Sequence, residues 1–217
     1  MRVEMPLAQS EPPHDCPRCP RLVDLREDLR RAHRDWWNAP VPSWGDPQAW
    51  LAIVGLAPGL KGANRTGRPF TGDHAGKFLF ATLAQAGLSR GRYDERPDDG
   101  LALDGTIIFN AVRCVPPANK PLASEVANCR MFLAEQLELL AKLRTIVALG
   151  RIAHETVLRA FGLRLADYRF AHGVELDLPA GRRLLDSYHC SRQNTNTGKL
   201  TREMFAAVFE RAKELAR

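Results

Sequence analysis

The sequence predicts an α/β fold, a mostly parallel sheet of four strands with helices on both faces. Three observations predict it. Four short apolar runs, Trp50 to Leu56, Thr106 to Val112, Thr145 to Leu149 and Arg183 to Tyr188, read as strands. The stretches between them, and the one after the last, carry apolar residues at helical spacing. At 217 residues, 45% hydrophobic and 26% charged, the chain has the composition and length of one globular domain with its own core.

Each element follows in order. The first twelve residues are polar and proline-containing, and read as a mobile tail ahead of a single domain. Leu22, Leu25 and Leu29 then mark a helix just after Cys19-Pro20. Asp35 to Gln48 holds three of the four tryptophans with Pro and Gly, and reads as an irregular surface segment. Phe78, Leu79, Thr82, Leu83 and Ala86 form one helical face, and Val126, Leu133, Leu137 and Leu140 a second. Ala153, Val157 and Ala160 form a third, stopped by Gly162 as C-cap. Leu176 to Gly181 reads as a turn into the last strand, which implies an antiparallel edge hairpin. Thr201 N-caps a last helix whose Met204, Phe205, Val208 and Phe209 face inward.

No apolar run approaches ~18 residues, so no membrane partner is expected. The first residues lack the apolar core of a signal peptide, which places the chain in the cytoplasm, where disulfides are rare. A formal net charge of +6 favours an anionic partner such as nucleic acid. The excess of arginine over lysine suits bidentate phosphate contacts, although a GC-rich genome produces the same bias.

The five cysteines therefore need another explanation than disulfides. Cys16 and Cys19 are spaced for one metal, whereas Cys114 and Cys129 lie far along the chain. Thiolates select iron–sulphur clusters or zinc. Spacing alone leaves both open, together with the reading of Cys114 and Cys129 as small buried hydrophobes. Cys190 has no obvious partner, and a nucleophilic pair with His189 is disfavoured because adjacent side chains diverge.

In sheets of this class ligands bind beyond the carboxyl ends of the strands. That singles out Leu56 to Asp73, Asn110 to Pro121 and His189 to Lys199. The first segment carries Gly55-Leu56-Ala57-Pro58-Gly59 and Ala63 to Asp73; the second opens Phe109-Asn110-Ala111-Val112-Arg113-Cys114 and closes Asn119-Lys120-Pro121; the third opens His189-Cys190-Ser191-Arg192. With Cys16-Pro17-Arg18-Cys19, this order resembles the uracil-DNA glycosylase superfamily over nearly the whole chain. It is most similar to the thermophile-type iron–sulphur branch, family 5 or type b.

The resemblance implies a three-layer α/β/α fold and a 4Fe–4S cluster on Cys16, Cys19, Cys114 and Cys129. It also implies hydrolysis of the N-glycosidic bond of deaminated bases in DNA; a monomer is expected. Asp73 would stabilise the cationic sugar or activate water, and Asn119 is a second candidate for the water. Asn110 would read the base edge, His189 would donate to a base carbonyl, and Phe70 would stack on the flipped base. Gly55, Ala57 and Gly59 would line the base pocket; Lys61, Arg65, Ser191, Arg192 and Lys199 would contact DNA. Each residue has a plainer reading. Asp73 is also an N-cap, Phe70 a core residue, Asn110 a partner for backbone groups, His189 a hydrogen-bonded buried histidine, Asn119 a turn residue, and the cations a solvated face. His14, His33, His74, His154 and His172 read as structural or surface residues.

Three departures from related patterns matter. Leu56 stands where family 4 places Glu and the classical enzymes place Asp, which removes catalysis by that route; the family 5 pattern uses a later Asp, matching Asp73. No Tyr follows the Gly55–Gly59 motif to exclude thymine, so a permissive pocket is expected, taking uracil, hypoxanthine, xanthine and mismatched thymine. Cys190 replaces a proline found in many relatives, loosening the third loop. A non-catalytic nucleic-acid-binding module with a structural metal cluster, and a strictly uracil-specific glycosylase, remain as rival readings.

Overall fold

The computed structural model describes residues 7–216. Its elements in chain order are α1 (Pro20–Ala32), β1 (Trp44–Gly45), β2 (Leu51–Gly55), α2 (Ala63–Thr66), α3 (His74–Gln85), β3 (Ser89–Arg90), β4 (Ala102–Leu103) and β5 (Thr106–Asn110). After these come α4 (Ala123–Leu139), β6 (Thr145–Leu149), α5 (Arg151–Ala160), β7 (Glu175–Leu178), β8 (Arg182–Ser187), α6 (Arg192–Asn196) and α7 (Arg202–Leu215).

The four expected strands are β2, β5, β6 and β8, and they pair in parallel in the order β5-β2-β6-β8. The sheet has six strands rather than four, because β1 and β7 add antiparallel edges beside β5 and β8. β1 is two residues long, too short to show a period, and it lies in the segment expected to be irregular. That segment is not all surface either: Asn38, Ala39 and Val41 are buried. The expected hairpin is present, but its turn is narrower than Leu176 to Gly181. Leu176 to Leu178 belong to β7, and only Pro179-Ala180-Gly181 turns, with Ala180 left-handed at φ 61°.

Side chains alternate across the sheet and so build two cores. On one face Leu51, Ile53, Ile108, Val147 and Leu185 pack against Leu79 and Leu83 of α3 and Phe205 and Phe209 of α7. On the other, Ala52, Val54, Ile107, Phe109, Ile146 and Leu184 meet Leu133 and Leu137 of α4 and Val157 and Leu158 of α5. This is a three-layer α/β/α arrangement. Burying one such Leu or Phe stabilises by about 1.5–3 kcal/mol.

Helix ends follow the sequence signals. Thr201 accepts from Met204 N at 3.2 Å. Gly162 takes φ 70° just past α5, and Leu163 N returns to Leu158 O at 2.9 Å. Among the described residues no helix is long and apolar enough to cross a membrane.

The expectation of a mobile tail through residue 12 fails where it can be checked; its first six residues lie outside the described chain. Leu7–Ser10 forms a 3-10 turn with Ser10 buried. Glu11 receives bonds from Ser43 N at 2.8 Å and Gln136 Nε2 at 2.6 Å, and faces Arg113 Nη1 at 3.2 Å. Arg113 is 1% exposed, and a cation so buried requires a counter-charge, which holds the segment down.

Candidate active site and metal centre

Parallel pairing brings Gly55 opposite Asn110 and Leu149 opposite Ser187, so the loops after these strands open on one rim. There they enclose a cleft of about 550 Å³. Its lining includes Leu56, Ala57, Gly59, Phe70, Asp73, Asn110, Asn119, His189, Ser191 and Arg192 from all three singled-out segments.

At the floor, a Cβ on Gly55 would stand 2.7 Å from Phe70 Cζ and 2.8 Å from Asn110 Oδ1. Glycine is thus required where the Phe70 ring and the Asn110 amide converge. Phe70 is buried and still forms part of the cleft wall. Asn110 is 3% exposed, and its side chain has no hydrogen bond among the described residues, so it does not serve backbone groups. Its donor and acceptor are both left for a ligand.

Asp73 is the N-cap of α3: Oδ1 accepts from Gly76 N at 2.9 Å. Oδ2 lies over the first loop, 3.1 Å from where a Gly59 Cβ would be and 2.7 Å from one on Gly62. Cap and cleft residue are therefore the same carboxylate, one oxygen for each. Gly62 escaped the sequence reading, since nothing in its spacing tells that a carboxylate crosses it.

The His189 ring lies 6.0 Å from the Phe70 ring at 27°. It makes no hydrogen bond among the described residues, contrary to the reading of a satisfied buried histidine. Burial pulls its pKa below the usual imidazole value, against the opposing pull of the Asp73 carboxylate. The ring is therefore neutral near pH 7, one nitrogen a donor and the other an acceptor. The adjacent Cys190 is fully buried, its thiol donating to Ala75 O at 3.5 Å, and burial drives its pKa up. A thiol so placed is no nucleophile.

Asn119 is exposed and left-handed at φ 56°, a turn residue that also reaches the cleft. Ser191 caps α6 through Asn194 N at 3.4 Å. Lys61, Arg65, Arg192 and Lys199 are exposed and have no acidic partner among the described residues. Of these four only Arg192 lines the cleft; Arg65 borders a second one beside Trp36 and Trp37, and Lys199 Nζ sits 4.8 Å from the Tyr188 ring. His74, read as structural or surface, is a cleft residue; its Nε2 is 2.9 Å from Thr195 Oγ1 and joins the first loop to the third.

Cys16, Cys19, Cys114 and Cys129 line one cavity, with Leu22, Pro40, Val112 and Phe132 around them. They come from the segment before α1, the loop after β5, and α4. Arg113 N donates to Cys129 Sγ at 3.3 Å, and Asn128 Nδ2 to Cys19 Sγ at 3.8 Å. Burial pushes the Cys114 thiol up to about 12, helped by the neighbouring Cys129, and the Cys129 thiol up to about 11. Among the described residues no three His, Cys, Asp or Glu side chains gather tightly enough to hold a single metal ion. The donor set, four soft sulphurs with N–H groups turned to two of them around one cavity, fits a thiolate-held metal group.

The family model described as the uracil DNA glycosylase superfamily matches residues 42–213. A Type-5 uracil-DNA glycosylase of Thermus thermophilus is 52% identical over 206 residues, covering 93% of this chain and 94% of the relative. Proteins of the same name from Pyrobaculum aerophilum and Mycobacterium leprae are each 46% identical. The first covers 91% of this chain and 88% of itself, the second 93% and 91%.

Proposed function

The chain belongs to the uracil DNA glycosylase superfamily, and from that premise we propose that it removes uracil and other deaminated bases from DNA by base flipping. The observation that carries the reading is the convergence on one cleft of a carboxylate oxygen, an amide and a neutral imidazole without protein partners. A base inside a duplex is out of reach, so it must be extruded at a cost of a few kcal/mol. Phe70 stacks on the extruded base and Asn110 pairs with its edge. As the glycosidic bond breaks, electrons move into the base and positive charge grows on the sugar. The neutral His189 ring donates to the base carbonyl where negative charge develops. The free oxygen of Asp73 faces the sugar, stabilising the cation or taking a proton from water; Asn119, which also lines the cleft, orients that water.

Leu56 gives an alkyl wall at the rim, and among the described residues no tyrosine lines the pocket, which supports acceptance of hypoxanthine, xanthine and mismatched thymine beside uracil. Release assays on duplexes carrying each base opposite several partners test this; cleavage of uracil alone sinks the wider range. Asp73→Asn keeps the cap geometry and should lower the single-turnover rate by about 10²–10⁴-fold with little change in DNA affinity. An unchanged rate would refute the assignment.

We assign a 4Fe–4S cluster to Cys16, Cys19, Cys114 and Cys129 on the fit of the donor set. When bound, it supplies an anchor rather than electrons, since glycosidic hydrolysis needs none. Cys114 lies four residues past Asn110, so the anchor sits directly behind the loop that reads the base. Brown protein absorbing near ~400 nm is expected. Stripping the metal should unfold the Asn110–Asn119 loop and abolish base release. Colourless protein that carries zinc or no metal would overturn the assignment.

A further inference from the structure

Phe70 is a non-glycine residue with φ 53°, a backbone conformation that persists only where its surroundings over-determine it. Those surroundings are specific. Tyr93 donates its hydroxyl to Phe70 O at 3.2 Å and accepts from Gly72 N at 3.1 Å, spanning the turn just ahead of Asp73. From the other side the Phe70 carbonyl is pressed onto the first turn of α3, where a Cβ on Gly76 would stand 1.7 Å from it.

Tyr93 is itself fixed. Its ring packs against Phe80 at 4.6 Å. The Arg68 guanidinium lies 4.8 Å from the Trp44 ring and 5.8 Å from those of Phe80 and Tyr93. Arg68 is in turn held by Asp99 through two bonds of 2.7 and 2.8 Å. Burial pushes the Tyr93 hydroxyl up to about 12, so it remains a donor through the working range of pH. Tyr93 does not line the cleft and touches no reacting atom.

We propose that Tyr93 is a positioning residue for base release, its hydroxyl holding the strained Phe70 backbone so that the ring meets the extruded base. The inference rests on the functional reading above, in which Phe70 is the stacking surface. The loop 91–100 is on this account the brace of the base pocket, although it contributes nothing to the wall.

Tyr93→Phe keeps the ring and removes only the hydroxyl. Its single-turnover release of uracil should fall about tenfold, and its equilibrium affinity for free uracil should weaken by a similar factor. Affinity for a duplex carrying an abasic-site analogue, which offers Phe70 no base, should stay within about twofold of wild type, and the melting temperature should fall by no more than a few degrees, the cost of the lost hydrogen bonds. In a Phe70→Ala background, Tyr93→Phe should cost nothing further. An unchanged rate, an unchanged uracil affinity, a matching loss of abasic-DNA affinity, or additive losses in the double variant would each overturn the proposal. Wild-type protein that releases no base would defeat the functional reading instead, and the binding of free uracil would still decide the role of Tyr93.

Discussion

His189 shows how far a single residue's chemistry depends on its surroundings. An imidazole in water is half protonated near pH ~6.5, and a protonated ring would meet the departing base already charged. Burial lowers the pKa of His189, so its neutral form survives to more acid pH than a free histidine's. Single-turnover base release should therefore stay level as pH falls through the ordinary imidazole range and decline only below it, if His189 is the titrating group. A decline centred at or above ~6.5 would show that the ring titrates as in water, and would count against its role. Asp73, Phe70, Asn110 and His189 were legible in the sequence because they fall in motifs of fixed order after strands. Gly62, His74 and Tyr93 were not. Their importance comes from what crosses them in space: a carboxylate, a threonine hydroxyl and a strained carbonyl.

At the scale of elements, β2, β5 and β6 were legible because each buries both faces and reads as a short, mostly apolar run; β8 was legible from Leu184-Leu185 alone, its ends being polar. β1 was not, since two residues carry no period; nor was the anchoring of residues 7–12, which depends on the remote Arg113. The loop 91–100 was equally opaque, being polar and rich in charge, yet its Asp99 holds one side of a deeply buried ion pair. The Arg68 and Asp99 side chains are 3% and 0% exposed. The guanidinium holds the Asp99 carboxyl well below the usual carboxylate range, helped by the N–H groups of Asp94 and Leu101. This contribution is complete above the carboxylate pKa of the unfolded chain and is lost only as pH falls toward the depressed folded value. Asp99→Asn should lower stability by about 3–5 kcal/mol, because Arg68 would stay buried without a counter-charge. Denaturant unfolding measures it; a loss below about 1 kcal/mol would mean that the pair is not needed to hold the loop.

Over the whole molecule, the excess of positive charge and the cleft act together. Arg192 lines the opening, and Lys61, Arg65 and Lys199 stand exposed in the same loops without acidic partners among the described residues. Affinity for abasic DNA should fall linearly on a log–log plot against salt, and Arg192→Ala should reduce the slope by about one. A slope unchanged in that variant would remove Arg192 from the phosphate contacts. Such a surface was legible as a net charge; which cations face the cleft was not.

The pairing of β5 with β2 sets Gly55 against Asn110 in strict alignment. Residues along a strand point alternately up and down, so position there has parity as well as distance. A deletion of one residue within β5 would not slide the Asn110 amide along the rim by a few ångströms. It would turn that amide to the opposite face of the sheet and bring Ala111 into its place. Substitutions in the three loops can therefore adjust the site by degrees, whereas a single-residue change of length in the strand inverts it.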